Sequence, residues 1–307
     1  MSVGTTTATA SLLKDYWHNF FIEALRDVRV FEGLTKKTKV SAGSGKVVWW
    51  YGLSKVNPVG ASLSEGADPT PRSSAAIRIS GTLTEYGNLI KNSRLFMDTA
   101  IDGTKQEIMR DLANDAAETL DDTVLVKALG GGTVLYAGSK VHRTDVVKAT
   151  TATIAEIRKA VRLLQLSSVP KFPGGHYVGL VHPDVVFDLQ TDSKWTDMTK
   201  YRDSVKYDIK GEIGMIWGVR FVIAPSIPIL TNSGSASVNL YRTLIFGPDF
   251  IGQSELGDLE VVINEPGRGS ELRQYNTYGY RFVLSTERLS DQRGIRLESS
   301  ASLGSNT

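Results

Sequence analysis

The sequence predicts an α+β fold with one compact region of alternating helices and strands and a second, extended part around it. Three observations carry that prediction. Two stretches alternate with the period of a β-strand on either side of a Pro-, Gly- and Ser-rich loop. A long helical stripe ends in three glycines. From Thr150 onward, helix and strand patterns alternate in short units.

Taken in order, residues 11–28 place Leu12, Leu13, Tyr16, Trp17, Phe20, Phe21, Ala24 and Leu25 on one face of an amphipathic helix, with Ser11 as N-cap. So wide an aromatic face needs cover, either from the chain's own core or from a neighbouring molecule. Residues 46–55 and 75–86 read as strands: Val47, Trp49, Tyr51 and Leu53 share a face in the first, and Ile77, Ile79, Gly81 and Leu83 in the second. The intervening NPVGASLSEGADPTPRSS cannot continue either strand, so the pair forms a long hairpin with a broad tip, reaching roughly 30 Å. Two strands alone are marginal in water, so this hairpin needs a surface to lie on.

Residues 102–129 carry an apolar stripe of Ile108, Leu112, Ala116, Leu120 and Val124, with most of the acidic residues on the other sides. Gly130, Gly131 and Gly132 stop this helix, about 40 Å long, which could brace two halves of the molecule. Thr153 and Glu156 then form a capping box for a helix with Ile154, Ile157, Val161 and Leu164 inward and Arg158, Lys159 and Arg162 outward. A short strand follows at 177–181, a helix begins at Pro183, and a helical piece is expected near 195–201. Further strands are expected at 219–224, 243–246, 259–264 and 275–284, with 288–298 a last strand or hairpin arm before a polar tail. The compact region spans about 140–275.

Composition narrows the function classes. The chain has 307 residues, 35 Lys and Arg against 33 Asp and Glu, a formal net charge of +2 and no cysteine. Without cysteine there is no disulfide framework, thiolate metal site or cysteine nucleophile, which fits a reducing cytosol. Interspersed charges of nearly equal number are not the concentrated basic surface of a protein that grips DNA. The apolar runs are far shorter than the roughly 20 residues that span a bilayer, and the Thr- and Ala-rich opening lacks the layout of a signal peptide, so it is expected to be a mobile arm.

Candidate chemistry is sparse. His182, Asp184 and Asp188 could be offered as ligands of a divalent ion in a metal-dependent hydrolase, but Asp184 at a helix start and His182 at a strand end have ordinary structural roles there. Gly43-Ser44-Gly45-Lys46 lacks the spacing and the following helix of a phosphate-binding loop. No nucleophile elbow or HExxH pair is present. No catalytic, cofactor-binding or metal residue is assigned.

Several segments in one order add a resemblance. LSEGADPT (63–70), TLTEYGNLI (82–90), ETLDDTVL (118–125), IRKAVRLL (157–164), VHPDVVFDL (181–189) and GEIGMIWGVRFV (211–222) resemble the major capsid proteins of tailed bacteriophages with the HK97-like fold, in particular the N4-like coat-protein family. The resemblance implies an N-terminal arm (1–40), an extended hairpin loop (41–84), a peripheral domain with its spine helix (85–149, helix 102–129), an axial domain (150–273) and return strands with a C-terminal tail (274–307). It implies a structural protein that self-assembles as hexamers and pentamers into an icosahedral head enclosing double-stranded DNA, made in the bacterial cytoplasm. The expected partners are further copies of itself, a separate scaffolding protein, a portal and, optionally, a decoration protein, with no membrane and no cofactor. Trp17, Phe20, Phe21, Trp49, Tyr51, Leu63, Glu65 and Arg72 are the candidate intersubunit contacts. An encapsulin-like compartment shell is the alternative on the same fold.

Overall fold

Two sheets and a hairpin organise the chain in the computed structural model, which describes residues 18–22, 31, 33–41, 43, 45–53, 65–66, 76–99, 104–192, 195, 212–264 and 274–303. In chain order the strands are β1 (Lys36–Val40), β2 (Val47–Leu53), β3 (Ala76–Thr82), β4 (Thr84–Ser93), β5 (Thr133–Tyr136), β6 (Tyr177–Val181), β7 (Glu212–Ile216), β8 (Val219–Ile223), β9 (Tyr241–Phe246), β10 (Ile251–Leu256), β11 (Glu260–Asn264), β12 (Tyr275–Arg288) and β13 (Gly294–Ser299). The helices are α1 (Arg94–Thr99), α2 (Thr104–Leu129), α3 (Ile154–Leu166) and α4 (Pro183–Thr191). Residues 18–22 are also helical.

The first sheet has six strands in the order β5-β13-β9-β6-β8-β7. Its central strands are apolar on both sides because both faces are covered. Tyr177, Val181, Val219, Phe221, Tyr241 and Ile245 pack against α3 and α4, while Val178, Leu180, Val222, Leu244 and Phe246 pack against the last turns of α2 through Val124, Leu125, Ala128 and Leu129. The capping box expected at Thr153 forms, and Glu156 also accepts from the Gly138 amide, which explains a buried carboxylate at a helix start.

The second sheet is built on β12, a 14-residue strand. The antiparallel β4 takes one edge, and β10 and β11 lie in line on the other, with β1 parallel to β10 outside them. Tyr278, Tyr280, Phe282 and Leu284 alternate onto one face, where α2 lays Met109, Leu112, Ala113, Ala116, Ala117 and Leu120 over them. Thus α2 serves both sheets, its first half covering one and its last turns the other. Its exposed side carries Glu107, Asp111, Glu118 and Asp122, the solvated acidic face that the sequence implies.

Arginines tie the end of α2 to both sheets. Arg296 Nη1 donates to the Leu129 carbonyl and Arg288 Nη1 to that of Lys127 (3.2 Å), so two of the carbonyls left unpaired at a helix end find partners. Beside them Glu298, fully buried, receives a two-pronged hydrogen bond from Arg143 (2.7 and 2.6 Å), and Arg296 Nε lies 3.0 Å from the same carboxylate, near enough to pair but misdirected for a hydrogen bond. The hydrogen bond to Glu298 raises the Arg143 pKa above its ordinary value.

β2 and β3 pair antiparallel as the expected hairpin, in the register Trp49↔Ser80 and Tyr51↔Arg78. One face of it is not free: Val48 and Trp50 are buried with Leu83 against Leu256, Val283 and Leu289. Gly252 makes this approach close, since a Cβ there would stand 3.0 Å from the Trp50 indole.

Some expectations need correction. The strand expected at 288–298 is two elements, because β12 runs on to Arg288, a turn with a 3-10 segment at Asp291–Arg293 reverses the chain, and β13 begins only at Gly294. β1, β4, β5, β7 and β10 were not anticipated. β4 is an edge strand with most of its side chains exposed and one glycine inside, so it lacks the apolar alternation that marks a strand. Of the helix expected at 11–28 only 18–22 is described, and of that near 195–201 only Trp195, the rest lying outside the described residues.

Candidate intersubunit surface

Antiparallel register sets the hairpin's outward face. Directly paired residues share a face, so Val47, Trp49 and Tyr51 project from β2 beside Thr82, Ser80 and Arg78 of β3. Trp49 is 40% and Tyr51 71% exposed. The Arg78 guanidinium stacks 3.4 Å from the centre of the Trp49 ring and 6.0 Å from that of Tyr51. A planar cation between two exposed aromatic rings orders all three side chains before any partner arrives. Arranged in this way, the face combines apolar area, a fixed cation and low residual entropy, the composition of interface anchors.

A second uncovered region lies on the other face of the β12 sheet. There Glu85, Leu89 and Lys91 of β4 stand beside Arg281, which pairs with Glu85 (3.4 Å) and Glu260 (2.5 Å). Leu89, Leu95 and Phe96 are large apolar side chains at least half exposed or nearly so, and they follow one another from the end of β4 into α1.

The candidate contacts fall into three groups. Trp49 and Tyr51 are exposed on the ordered hairpin face, and Glu65 is exposed in a turn. Phe20 is half-buried, with Arg110 5.6 Å from its ring centre, whereas Phe21 is wholly buried in its own chain, 6.0 Å from the Tyr280 ring, and has no surface to offer a second copy. The wide aromatic face of that helix is therefore at least partly the molecule's own core. Trp17, Leu63 and Arg72 lie outside the described residues. Sequence reasoning missed Arg78, Leu89, Leu95 and Phe96. Arg78 was legible from the hairpin register, because it stands directly across from Tyr51.

The His182 cluster is structural. The Asp184 amide donates to His182 Nδ1 (3.2 Å), making His182 the cap of α4, and burial lowers its pKa against the opposing pull of Asp184. Asp188 is held by the amide and hydroxyl of Ser302. Among the described residues no group of three or more His, Cys, Asp or Glu side chains is placed to hold a metal ion, and no helix is long and apolar enough to cross a membrane.

A doubly covered sheet, a long helix shared with a second sheet and a hairpin with one face on the body and one exposed are together the HK97-like fold of phage shell subunits. Solved structures place it there. The chain matches the capsid of Ralstonia phage GP4 with a TM-score of 0.73 at 14% identity, over 89% of this chain and 88% of that one. It matches the cyanophage Pam1 capsid with a TM-score of 0.69 at 12% identity, over 92% and 93%, and the head of Helicobacter pylori bacteriophage KHP40 with a TM-score of 0.62 at 13% identity, over 89% and 91%. At such identities the likeness is one of fold. No curated protein sequence matches. The family model described as phage capsid protein matches residues 78–295, and the chain belongs to that family. It is a major capsid protein, a structural component of the phage head, and neither the compartment reading nor the hydrolase reading is favoured.

Proposed function

We propose that copies of this chain assemble as hexamers and pentamers into an icosahedral shell around double-stranded DNA, and that the ordered face of the hairpin docks on a neighbouring copy. One observation carries the docking: the hairpin's inner face is fixed on its own body by Trp50, while its outer face holds Trp49, Tyr51 and Arg78 stacked and uncovered. The uncovered face of the β12 sheet, with Leu89 and the adjoining Leu95 and Phe96, is the complementary surface on the neighbour. Contacts of this kind are heterologous, and where the rotation between copies closes they form rings and repeat around each one. Individually modest areas then add across a lattice.

The division into an N-terminal arm (1–40), extended loop (41–84), peripheral domain (85–149), axial domain (150–273) and return segment (274–307) follows the same reading. Assembly in the bacterial cytoplasm, with a separate scaffolding protein, a portal and an optional decoration protein, belongs to it as well. Near-neutral charge suits a wall that contains DNA without gripping it.

The test is electron microscopy of the full-length chain expressed with its neighbouring genes, beside a variant lacking residues 58–71. Closed particles from the former and folded, unassembled subunits or open sheets from the latter are expected. Normal particles from a variant with Trp49→Ala and Tyr51→Ala would contradict the docking assignment, and normal particles from the deletion would remove the loop between the two strands from the contact.

A further inference from the structure

α3 presents a second surface that shell building does not explain. Arg158, Arg162 and Gln165 follow one another at spacings of four and three residues, so they line one side of the helix. Together with Trp217, Ala155 and Lys159 they line an open groove of about 500 Å³. The Arg158 guanidinium lies 4.3 Å from the centre of the Trp217 ring, and Lys159 Nζ donates to Ser139 Oγ (2.8 Å). Among the described residues none of these three cations has a carboxylate at ion-pair distance. The nearby Glu156 has its carboxylate turned to the amides of Gly138 and Thr153. The flanking sequence has the same sign: residues 138–171 contain seven Lys or Arg, one of them the Arg143 that Glu298 pairs, and two Asp or Glu, against 35 and 33 in the whole chain.

Trp217 is an independent observation. It and Gly218 are the two residues between β7 and β8, with φ of 52° and 76°. A two-residue hairpin turn with both φ positive favours Asn-Gly, and the left-handed conformation costs any other L-residue about 1–2 kcal/mol. The indole is 46% exposed, so it is not a core residue. Turn chemistry does not account for tryptophan here, whereas a wall for the groove, stacked on Arg158, does.

We propose that this groove binds an acidic, extended polypeptide segment of a second protein. Arg158 and Arg162 take its carboxylates in forked hydrogen bonds, Lys159 adds a third positive charge, and an apolar side chain of the segment packs on Trp217. Stacking on the indole fixes the Arg158 plane and leaves its edge donors free, so little ordering remains to be done on binding. A DNA duplex is rigid and far too wide to enter such a groove. A flexible chain can bring its carboxylates in one at a time.

The experiment uses the full-length chain and does not depend on assembly. Fluorescence anisotropy at low salt measures binding of a labelled dodecapeptide of Glu interspersed with Leu, beside a single-stranded oligonucleotide of equal charge. The peptide is expected to bind with an affinity that falls steeply with added salt. Replacing Arg158 and Arg162 together by Gln should weaken it about tenfold or more, for the loss of charged hydrogen bonds. Trp217→Asn should weaken it severalfold while leaving the thermal midpoint unchanged or higher, because Asn-Gly relieves the turn. Equal peptide affinity in the variants, no peptide binding, or tighter variant-sensitive binding of the oligonucleotide would overturn the proposal, the last by making the groove a nucleic-acid site.

Discussion

The two sheets of this subunit are finished to different degrees. The six-stranded sheet is covered on both faces, by α3 and α4 on one side and the end of α2 on the other, and its middle strand β6 is buried at every residue. Among the described residues, the β12 sheet is covered by α2 on one face and only in part, by the hairpin, on the other. Along the other face the hairpin root reaches as far as Val283, and beyond it Arg281 is exposed. The closed sheet is stabilised by its own chain, while the open sheet and the outward face of the hairpin leave apolar side chains exposed. A subunit of a lattice needs both, since it must hold its shape before it binds and must also have something left to bind with.

That contrast can be broken most strongly from the open side. Trp49→Ala combined with Tyr51→Ala is expected to abolish closed particles in electron micrographs, yet to change subunit stability by no more than about 1 kcal/mol in urea unfolding, as exposed substitutions do. A large stability loss with assembly intact would reverse the roles assigned to the two regions.

The closed side should respond in the opposite sense. Glu298→Ala leaves the mostly buried Arg296 and the partly exposed Arg143 without their shared carboxylate, and an expected loss of about 3–5 kcal/mol would be read from the same unfolding curves. Phe221→Ala, in the core under α3, should cost a similar amount through lost burial and the cavity left behind.

A smaller effect tests the helix shared by both sheets. Burial, followed by the hydrogen bond that its hydroxyl donates to Asp115 (2.5 Å), pushes the Tyr280 pKa up to about 12. An unfolded tyrosine ionises near about 10. The folded state therefore keeps a proton that the unfolded state has lost, so this stabilisation is whole below about pH 10 and is lost as pH rises to about 12. About 2–3 kcal/mol should disappear over that interval, and Tyr280→Phe should flatten the decline. Leu89→Ala should be nearly silent in subunit stability, within about 0.5 kcal/mol, while slowing assembly as followed by light scattering.

How much was legible beforehand varied with how local the cause was. The capping box at Thr153, the start of α4 at Pro183, the glycines that end α2 and the facing of Val47, Trp49 and Tyr51 all rest on residues a few positions apart, and the structure has them. β4 was missed because its pairing with β12, nearly 200 residues away, and not its own pattern, makes it a strand. Trp217 stood in one of the segments that carry the resemblance, GEIGMIWGVRFV, but its wall of the groove exists only because α3 passes beside the turn.

By itself, then, the sequence determined the α+β class, the long helix, the hairpin and the ordered motifs that resemble phage coat proteins, because propensity, capping and periodicity act over one or two turns of chain. Tertiary structure alone decided which apolar faces are spent. It buried Phe21 and Trp50 within the subunit and left Trp49, Tyr51 and Leu89 outside. Periodicity says that a face is apolar, but only the distant segments that arrive to cover it, or fail to, decide whether it belongs to the core or to a neighbour.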